Sequence, residues 1–458
     1  RGGGAGPWGN AALAGVVRLD SRASDREKFS ASIRGGTPKS LAGSFFADAK
    51  TNLGTFVASA NVLDSDGYFL IGPEQRGEAD RRAARQSGSV RLGWRSQSQL
   101  GPSLSINAEY SEDDFVNGSE VAGAKARTYG LSVSAVHKEP AHGPAWQSSV
   151  YARHKDFESV FGAFNQNRIS VRPVLDQFNV PATALGGNVL LRWSESSTWA
   201  IDSGVDLRVA DGETNERFRN LGQGFTRERT AGGKQWVAGT FFEGSWAQSA
   251  SVLFTGGFRF DRWYQSKGIR QETDLSSGTL LVDRSFQNRR GWVANGRLGL
   301  KAQLSEHVLI TAATYSGFRI PTLNELYRPF RVGNDITEAN AELGNETMAG
   351  AEIFVRWSAE QFTSSVGVFR NDLINPIINA TVTRTPGFNT DFSVFIPRGG
   401  SLRQRRNINR VKTWGLELDT EMHVSESFQI RASYLFTSPI IQRSDISPTL
   451  VGNRLAQV

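Results

Sequence analysis

The side chains best suited to holding a small molecule are arginines and aromatics, and in this chain they gather in four stretches. Phe157, Phe161 and Phe164 form the first, and Phe218, Arg219, Phe225 and Arg229 the second. Arg319, Tyr327 and Arg331 make a third, and Arg398, Arg403, Arg405 and Arg406 the last. A guanidinium forks onto a carboxylate or phosphate through parallel N–H donors, while aromatic rings stack on flat groups. The candidate ligand contacts are therefore Phe161, Phe164, Arg219, Phe225, Arg229, Arg319, Tyr327, Arg331, Arg403, Arg405 and Arg406.

No residues are spaced for catalysis. The histidines (His137, His142, His154, His307 and His423) are dispersed, and Pro140 keeps His137 and His142 off any shared regular face. No Gly-x-Ser-x-Gly elbow occurs, and serines near histidine, such as Ser305, lack an orienting acid. The absence of cysteine excludes disulfides, thiol catalysis and thiolate metal sites. Glu112-Asp113-Asp114 and the pair Asp64 and Asp66 could hold calcium at a loop base or be solvated turns. The reading is a binding protein, not an enzyme, with no cofactor. A net charge of +7 is spread along the chain rather than gathered on one face, which argues against nucleic acid as a partner.

Such binding stretches need a frame. Hydrophobic residues make up only 39% of 458, so the interior cannot be oily throughout. A barrel with a polar lumen and an apolar outer band satisfies that composition. The longest apolar run, around Ala11 to Val17, falls well short of the ~20 residues a spanning helix needs, whereas a tilted strand needs only ~10. Period-two alternation is widespread. Trp199, Ile201, Val205, Leu207 and Val209 share one parity against Asp202, Asp206 and Arg208; Trp414, Leu416 and Leu418 oppose Glu417, Asp419 and Glu421.

Connections alternate in length. Short links fall near 49–53, 97–100, 138–143, 195–198, 247–250, 304–306, 358–361 and 424–427. Longer ones lie near 65–85, 156–186, 211–233, 264–289, 317–347 and 371–407. Tight turns at one rim and long loops at the other are the habit of outer-membrane barrels. Nine of the eleven tryptophans lie near strand ends on the apolar parity, all but Trp8 and Trp263, as interface girdles require.

Several segments resemble TonB-dependent outer-membrane receptors. Tyr315-Ser316-Gly317-Phe318-Arg319-Ile320-Pro321-Thr322-Leu323-Asn324-Glu325-Leu326-Tyr327 is similar to the family's Phe-Arg-x-Pro-Thr-x-x-Glu-Leu-Tyr stretch. Asn340-Ala341-Glu342-Leu343-Gly344-Asn345-Glu346 resembles its Asn-Pro-Asp-Leu-x-Pro-Glu, with both prolines replaced. Arg406-Asn407-Ile408 followed by Gly415-Leu416-Glu417 is similar to Arg-Asn-Ile…Gly-Leu-Glu, and Gly452-Asn453-Arg454-Leu455 resembles the approach to its last strands. Trp8 to Leu19 looks like the close of the plug domain.

The resemblance implies an all-β, antiparallel, up-and-down transmembrane barrel, with residues 1–22 as the end of a plug and 23–458 as barrel wall. About 17 of the ~22 strands of such a transporter are expected within the chain, with about five beyond Val458. It further implies uptake of a scarce, bulky ligand across the outer membrane of a Gram-negative bacterium. A ferric siderophore suits the arginines; cobalamin, heme or an oligosaccharide are alternatives. The implied partners are the TonB-ExbB-ExbD complex, reached through a region preceding Arg1, together with membrane lipid and lipopolysaccharide. A passive porin or adhesive barrel is the competing reading, and the plug-like segment separates the two.

Overall fold

The computed structural model describes Gly9, Leu13 and residues 28–97, 101–138, 143–193, 198–220 and 222–455. The plug-like segment and the proposed boundary at residue 22 lie otherwise outside the described residues.

Strands dominate. The first six are β1 (Lys28–Gly36), β2 (Ser40–Thr51), β3 (Gly54–Ser65), β4 (Arg85–Arg95), β5 (Ser103–Val116) and β6 (Gly123–His137). Five tall ones follow: β7 (Ala145–Phe164), β8 (Val171–Trp193), β9 (Trp199–Asn220), β10 (Phe225–Ala247) and β11 (Val252–Asp274). After the short β12 (Leu280–Ser285) come β13 (Arg289–Gln303) and β14 (Val308–Arg319). Helix α1 (Leu323–Tyr327) and the small strands β15 (Phe330–Val332) and β16 (Asp335–Glu338) fill the next link. β17 (Glu346–Ser358) and β18 (Phe362–Ile374) return to the wall. The following link holds β19 (Ile377–Thr383), β20 (Gly387–Asn389), β21 (Val394–Ile396) and β22 (Leu402–Asn407), and β23 (Arg410–Ser425) and β24 (Phe428–Arg443) close the order.

The main sheet has 18 strands. β12 is an accessory pairing with β11; the other seventeen form one antiparallel meander in which each strand pairs with its neighbours in the wall. Among the described residues β1 is laddered only to β2 and β24 only to β23. The count of about seventeen is as expected, and among the described residues the longest α-helix has 5 residues.

Three of the expected long links are strand instead. Segments 156–186, 211–233 and 264–289 belong largely to β7–β12, leaving 165–170, 222–224, 275–279 and 286–288 as described connections. A 23-residue strand runs ~75 Å at ~3.3 Å per residue, against ~10 residues for crossing a bilayer. The upper halves of β7–β11 therefore stand clear of any membrane. With water on their outer face they lose the apolar alternation that marks the lower halves, and Asp211–Asn220 reads as a polar loop although it is laddered to β10.

The two faces of the lower wall differ as the alternation predicts. Leu207, Leu298, Ile430 and Tyr434 are exposed on the outside, and Leu416 lies half-buried on the same side. Inside, Arg208 approaches Asp206, Arg297 approaches Glu243 and Arg431 pairs with Glu421 at 3.2 Å. Trp236 and Trp246 share the outer parity of β10 ten positions apart. That is ~33 Å of strand, and a tilt of ~40° brings the rise to ~25 Å, the height of an outer-membrane apolar band. Trp246 faces Trp199 across the ladder and stacks on Phe254 at the lower level, and Trp236 packs on Tyr264 at the upper. Trp263, the exception, turns inward and is buried with Val237, Phe318 and Ile320.

Candidate functional site

The rim with the short turns is featureless; the other is built up. Its central device is a break in the wall. The register of β10 on β11 shifts between Gly232 and Lys234, and Lys267 opposite has φ 53°. A bulge of this kind bends the ladder and leaves room beside it. The Tyr327 ring fills that room: a β-carbon on Gly268 would stand 2.5 Å from its Cζ, and one on Gly233 3.0 Å from its Cε2. Glycine is required at Gly268 because an aromatic ring lies against the backbone. Tyr327 is 2% exposed and shares a core with Leu326 and Leu343, so α1 is pinned to the wall rather than free above it.

A capping box closes the start of α1. Thr322 Oγ1 accepts from Glu325 N at 3.2 Å, while Thr322 N donates to Glu325 Oε2 at 2.7 Å. Glu325 also receives Arg319 Nη1 at 2.8 Å, and Arg319 Nε reaches Glu346 at 2.6 Å. Burial alone would raise the Glu325 carboxyl, but the Arg319 and Thr322 donors outweigh it and hold it below its ordinary value. The Phe-Arg-x-Pro-Thr-x-x-Glu-Leu-Tyr resemblance is thus a folding unit: its arginine, threonine, glutamate and tyrosine dock one link onto two strands.

Beyond α1 the link is held by buried charge. Glu216, fully buried on β9, accepts Arg229 Nε at 2.7 Å and Arg328 Nη2 at 2.5 Å. Arg229 also donates to Pro329 O at 2.8 Å and faces Glu272. Arg270 joins Glu272 to Glu338 at 2.8 and 2.7 Å. Burial pushes Glu272 up, and Arg229 with Arg270 bring it back below the usual carboxylate range. The two longest links then knit together. β15, β16, β22 and β19 form a four-stranded sheet whose β16–β22 pair is parallel. Asn407 binds both polar atoms of Gly344 and the Asn375 carbonyl, and Asn340 donates to Arg405 O. These asparagines lie in the motifs that resemble the family.

The sequence candidates divide accordingly. Arg229, Arg319 and Tyr327 are committed to the pairs and packing above. Arg403 is bound to Asp335 and Ser401, Arg406 to Gln404, and Arg405 to the carbonyls of Asn324 and Arg328 with its guanidinium over Phe330. Phe225 opens β10 opposite Asn220. Phe164 lies under the Arg168 guanidinium at 3.7 Å, and Phe161 is 49% exposed nearby. Arg219 and Arg331 stand open. Arg219, at the β9–β10 tip with φ 62°, is exposed, and no side-chain partner for it is found among the described residues. Among the described residues Arg331 bonds only Gly333 O, and partial desolvation together with the charge of Arg219 pushes its pKa down. Glu216, Arg328, Arg270 and Glu338 were not among the candidates. The even-numbered run Asp202, Asp206, Thr214, Glu216 along β9 is the signal that could have found the first of them.

Lower in the lumen, Arg259 is fully buried between Asp206 at 2.6 Å and Asp261 at 2.6 Å. Gly9 lies against it: a β-carbon there would stand 2.5 Å from the guanidinium. A described point of the N-terminal segment is therefore seated on the inner wall.

A tall-rimmed, seventeen-strand meander with apolar exterior and charged interior agrees with what the family sequence model for "TonB dependent receptor-like, beta-barrel" matches, residues 26–458. The chain belongs to the TonB-dependent receptors. Receptors of this family are outer-membrane proteins that serve transport, not catalysis. The receptor fold is similar to the copper transporter OprC, with TM-score 0.76, 14% identity, and coverage of 97% of this chain and 66% of the other. It is similar also to the ferric yersiniabactin uptake receptor FyuA from Yersinia pestis (TM-score 0.72, 12% identity, 99% and 67%). For the siderophore receptor PirA from Acinetobacter baumannii the values are 0.67, 13%, 99% and 68%. The chain thus spans about two thirds of the length of these proteins. No curated protein sequence matches it.

Proposed function

We propose that this receptor captures a bulky anionic ligand, a ferric siderophore in the first instance, at its tall rim, and that the TonB-ExbB-ExbD complex drives its import through the outer membrane of a Gram-negative bacterium. The observation carrying the reading is that Arg219 and Arg331, both exposed at this rim, have no side-chain partner among the described residues. Two guanidiniums held in each other's field repel, and an arriving carboxylate or phenolate relieves that repulsion while gaining forked hydrogen bonds. Phe225, opposite Asn220 at the same hairpin tip, supplies a face for flat groups, and Phe161 and Phe164 on β7 add aromatic surface at the same rim, while Arg229, Arg319, Tyr327, Arg403, Arg405 and Arg406 hold the links that shape the mouth. The likeness to FyuA, a ferric yersiniabactin uptake receptor, and to PirA, a siderophore receptor, supports the ligand class, and the copper transporter OprC points to a metal as its alternative. Residues 1–22 serve as the end of a plug, with Gly9 on Arg259 as a point of its seat.

The test uses the full-length receptor in iron-starved cells lacking other siderophore receptors. Radio-iron uptake from a panel of ferric siderophores should exceed the vector control for at least one and vanish without TonB. The double variant Arg219→Gln, Arg331→Gln should weaken binding by ten- to a hundredfold at unchanged surface level, as loss of charged hydrogen bonds worth ~1.5–3 kcal/mol requires. Uptake that persists without TonB would overturn the energised reading, and unchanged affinity would remove the two arginines from it.

A further inference from the structure

A concavity lies at the same rim, beneath the link 66–84. Its volume is about 470 Å³, within the ~300–1,000 Å³ of small-molecule sites. The link supplies Leu70 and Ile71; β5 supplies Phe115, and β7 supplies Phe157 and Phe161. Phe115, Phe157 and Phe161 share the strand parity of Glu109 and Arg153, which pair with each other across the inner face. They therefore face water, not lipid. Even so Phe115 is 38%, Phe161 49% and Leu70 50% exposed. Contiguous apolar surface left open to water in a concave setting marks a binding site.

The walls are fixed in advance. Asp80, 6% exposed, takes both Nε and Nη2 of Arg168 at 2.9 and 2.5 Å and accepts Gly77 N at 2.8 Å. Ala79 N donates to Arg168 O, and Arg81 N to Gly118 O. The link is thereby tied to the tips of the β5–β6 and β7–β8 hairpins. Asp80 and Arg168, the two charged side chains in the lining, neutralise each other, and Ser159 Oγ donates to Gly123 O. Among the described residues that line it, no further charged side chain faces the concavity, while rings and aliphatic chains supply its walls.

We propose that this concavity binds an uncharged aromatic or alicyclic group, either part of a ligand whose charged end is held elsewhere or a separate small molecule. The proposal rests on the reading above only in placing the pocket on the cell exterior; binding itself requires neither TonB nor uptake. The probe is 4-fluorobenzyl alcohol, followed by ligand-observed ¹⁹F NMR on the purified full-length receptor in detergent, with an empty-micelle control. Saturable binding above the micelle background is expected. Phe161→Ala should weaken it at least tenfold, and Ala124→Leu, which fills the floor, should abolish it. Phe388→Ala, on a distant exposed hairpin, should leave it unchanged. Phe161 is exposed enough that its removal leaves folding intact, so failure of the filled variant to fold does not spoil the comparison. Attachment of 4-fluorobenzoate equal to that of the neutral probe would overturn the assignment of class. Signal that never saturates, or that is indifferent to Phe161→Ala, would overturn the site.

Discussion

Asp80 shows how a single residue orders a whole link. Its carboxyl is held down to about 2, from an ordinary 3.8, chiefly by the Arg168 hydrogen bonds, with burial opposing them and Gly77 N assisting. A depressed folded-state pKa contributes stability that is complete above the unfolded value and is lost as pH falls through the folded one. The link 66–84 should therefore resist protease from neutral pH down to about 4 and open between pH 3.8 and 2. Asp80→Asn should open it at every pH, and limited proteolysis across that range reads both. At the bulge, Gly268→Ala forces a β-carbon to 2.5 Å from Tyr327 Cζ. Overpacking of this kind costs ~1–3 kcal/mol, and hydrogen exchange on α1 should rise accordingly; unchanged protection would mean that the ring can step aside. In the Glu216 lattice, Glu216→Gln takes the charge partner from Arg328 and leaves Arg229 only Glu272, a loss of ~3–5 kcal/mol for a broken buried pair. Detachment of Arg328 from β9 and of Pro329 from β10 should appear as new protease sites between residues 320 and 345.

Strands carry the membrane assignment. Leu298, 64% exposed on β13, and Arg297 beside it face opposite ways. An arginine facing lipid at mid-depth costs ~2–4 kcal/mol, whereas lumen changes are tolerated. Leu298→Arg should thus sharply reduce the folded, heat-modifiable form, and Arg297→Gln should hardly affect it; equal yields would count against a lipid-facing exterior. How far strands were legible follows from the same contrast. The lower halves could be read to within a residue or two, because one face is apolar and the other charged: Trp199 to Val209 and Trp414 to Met422 alternate as the ladders do. The upper halves could not, because both faces are wet and the period carries no hydropathy signal. That is why 211–233 reads as loop and folds as hairpin. For the site, the arginine-rich stretches were found, but sequence cannot tell an arginine that meets carboxylates in its own fold from one that waits for an anion. Arg229 pairs with Glu216, thirteen residues away and in register across a tight hairpin; Arg219, ten residues before it at the tip, pairs with no side chain among the described residues.

The molecule as a whole is a wall with two unlike rims. Tight turns such as that between β2 and β3 join the strands at one, and at the other the links fold back, pair with each other and lock onto β9–β11 through Glu216, Glu272 and Glu338. Family membership explains why the motif residues are where they are: Thr322, Glu325, Tyr327, Asn340 and Asn407 assemble the mouth, and the proposed ligand residues Arg219 and Phe161 lie outside those motifs. The central claim is that this wall crosses the outer membrane with the built-up rim outside. The chain contains no cysteine, so single cysteines report position cleanly. Leu53 sits at the tight-turn rim, 76% exposed, and Ser277 at the β11–β12 turn. With the full-length receptor on intact cells, a membrane-impermeant maleimide should label Ser277→Cys and not Leu53→Cys, and lysis should make both reactive. Labelling of Leu53→Cys on intact cells, with Ser277→Cys protected, would invert the receptor and contradict the account.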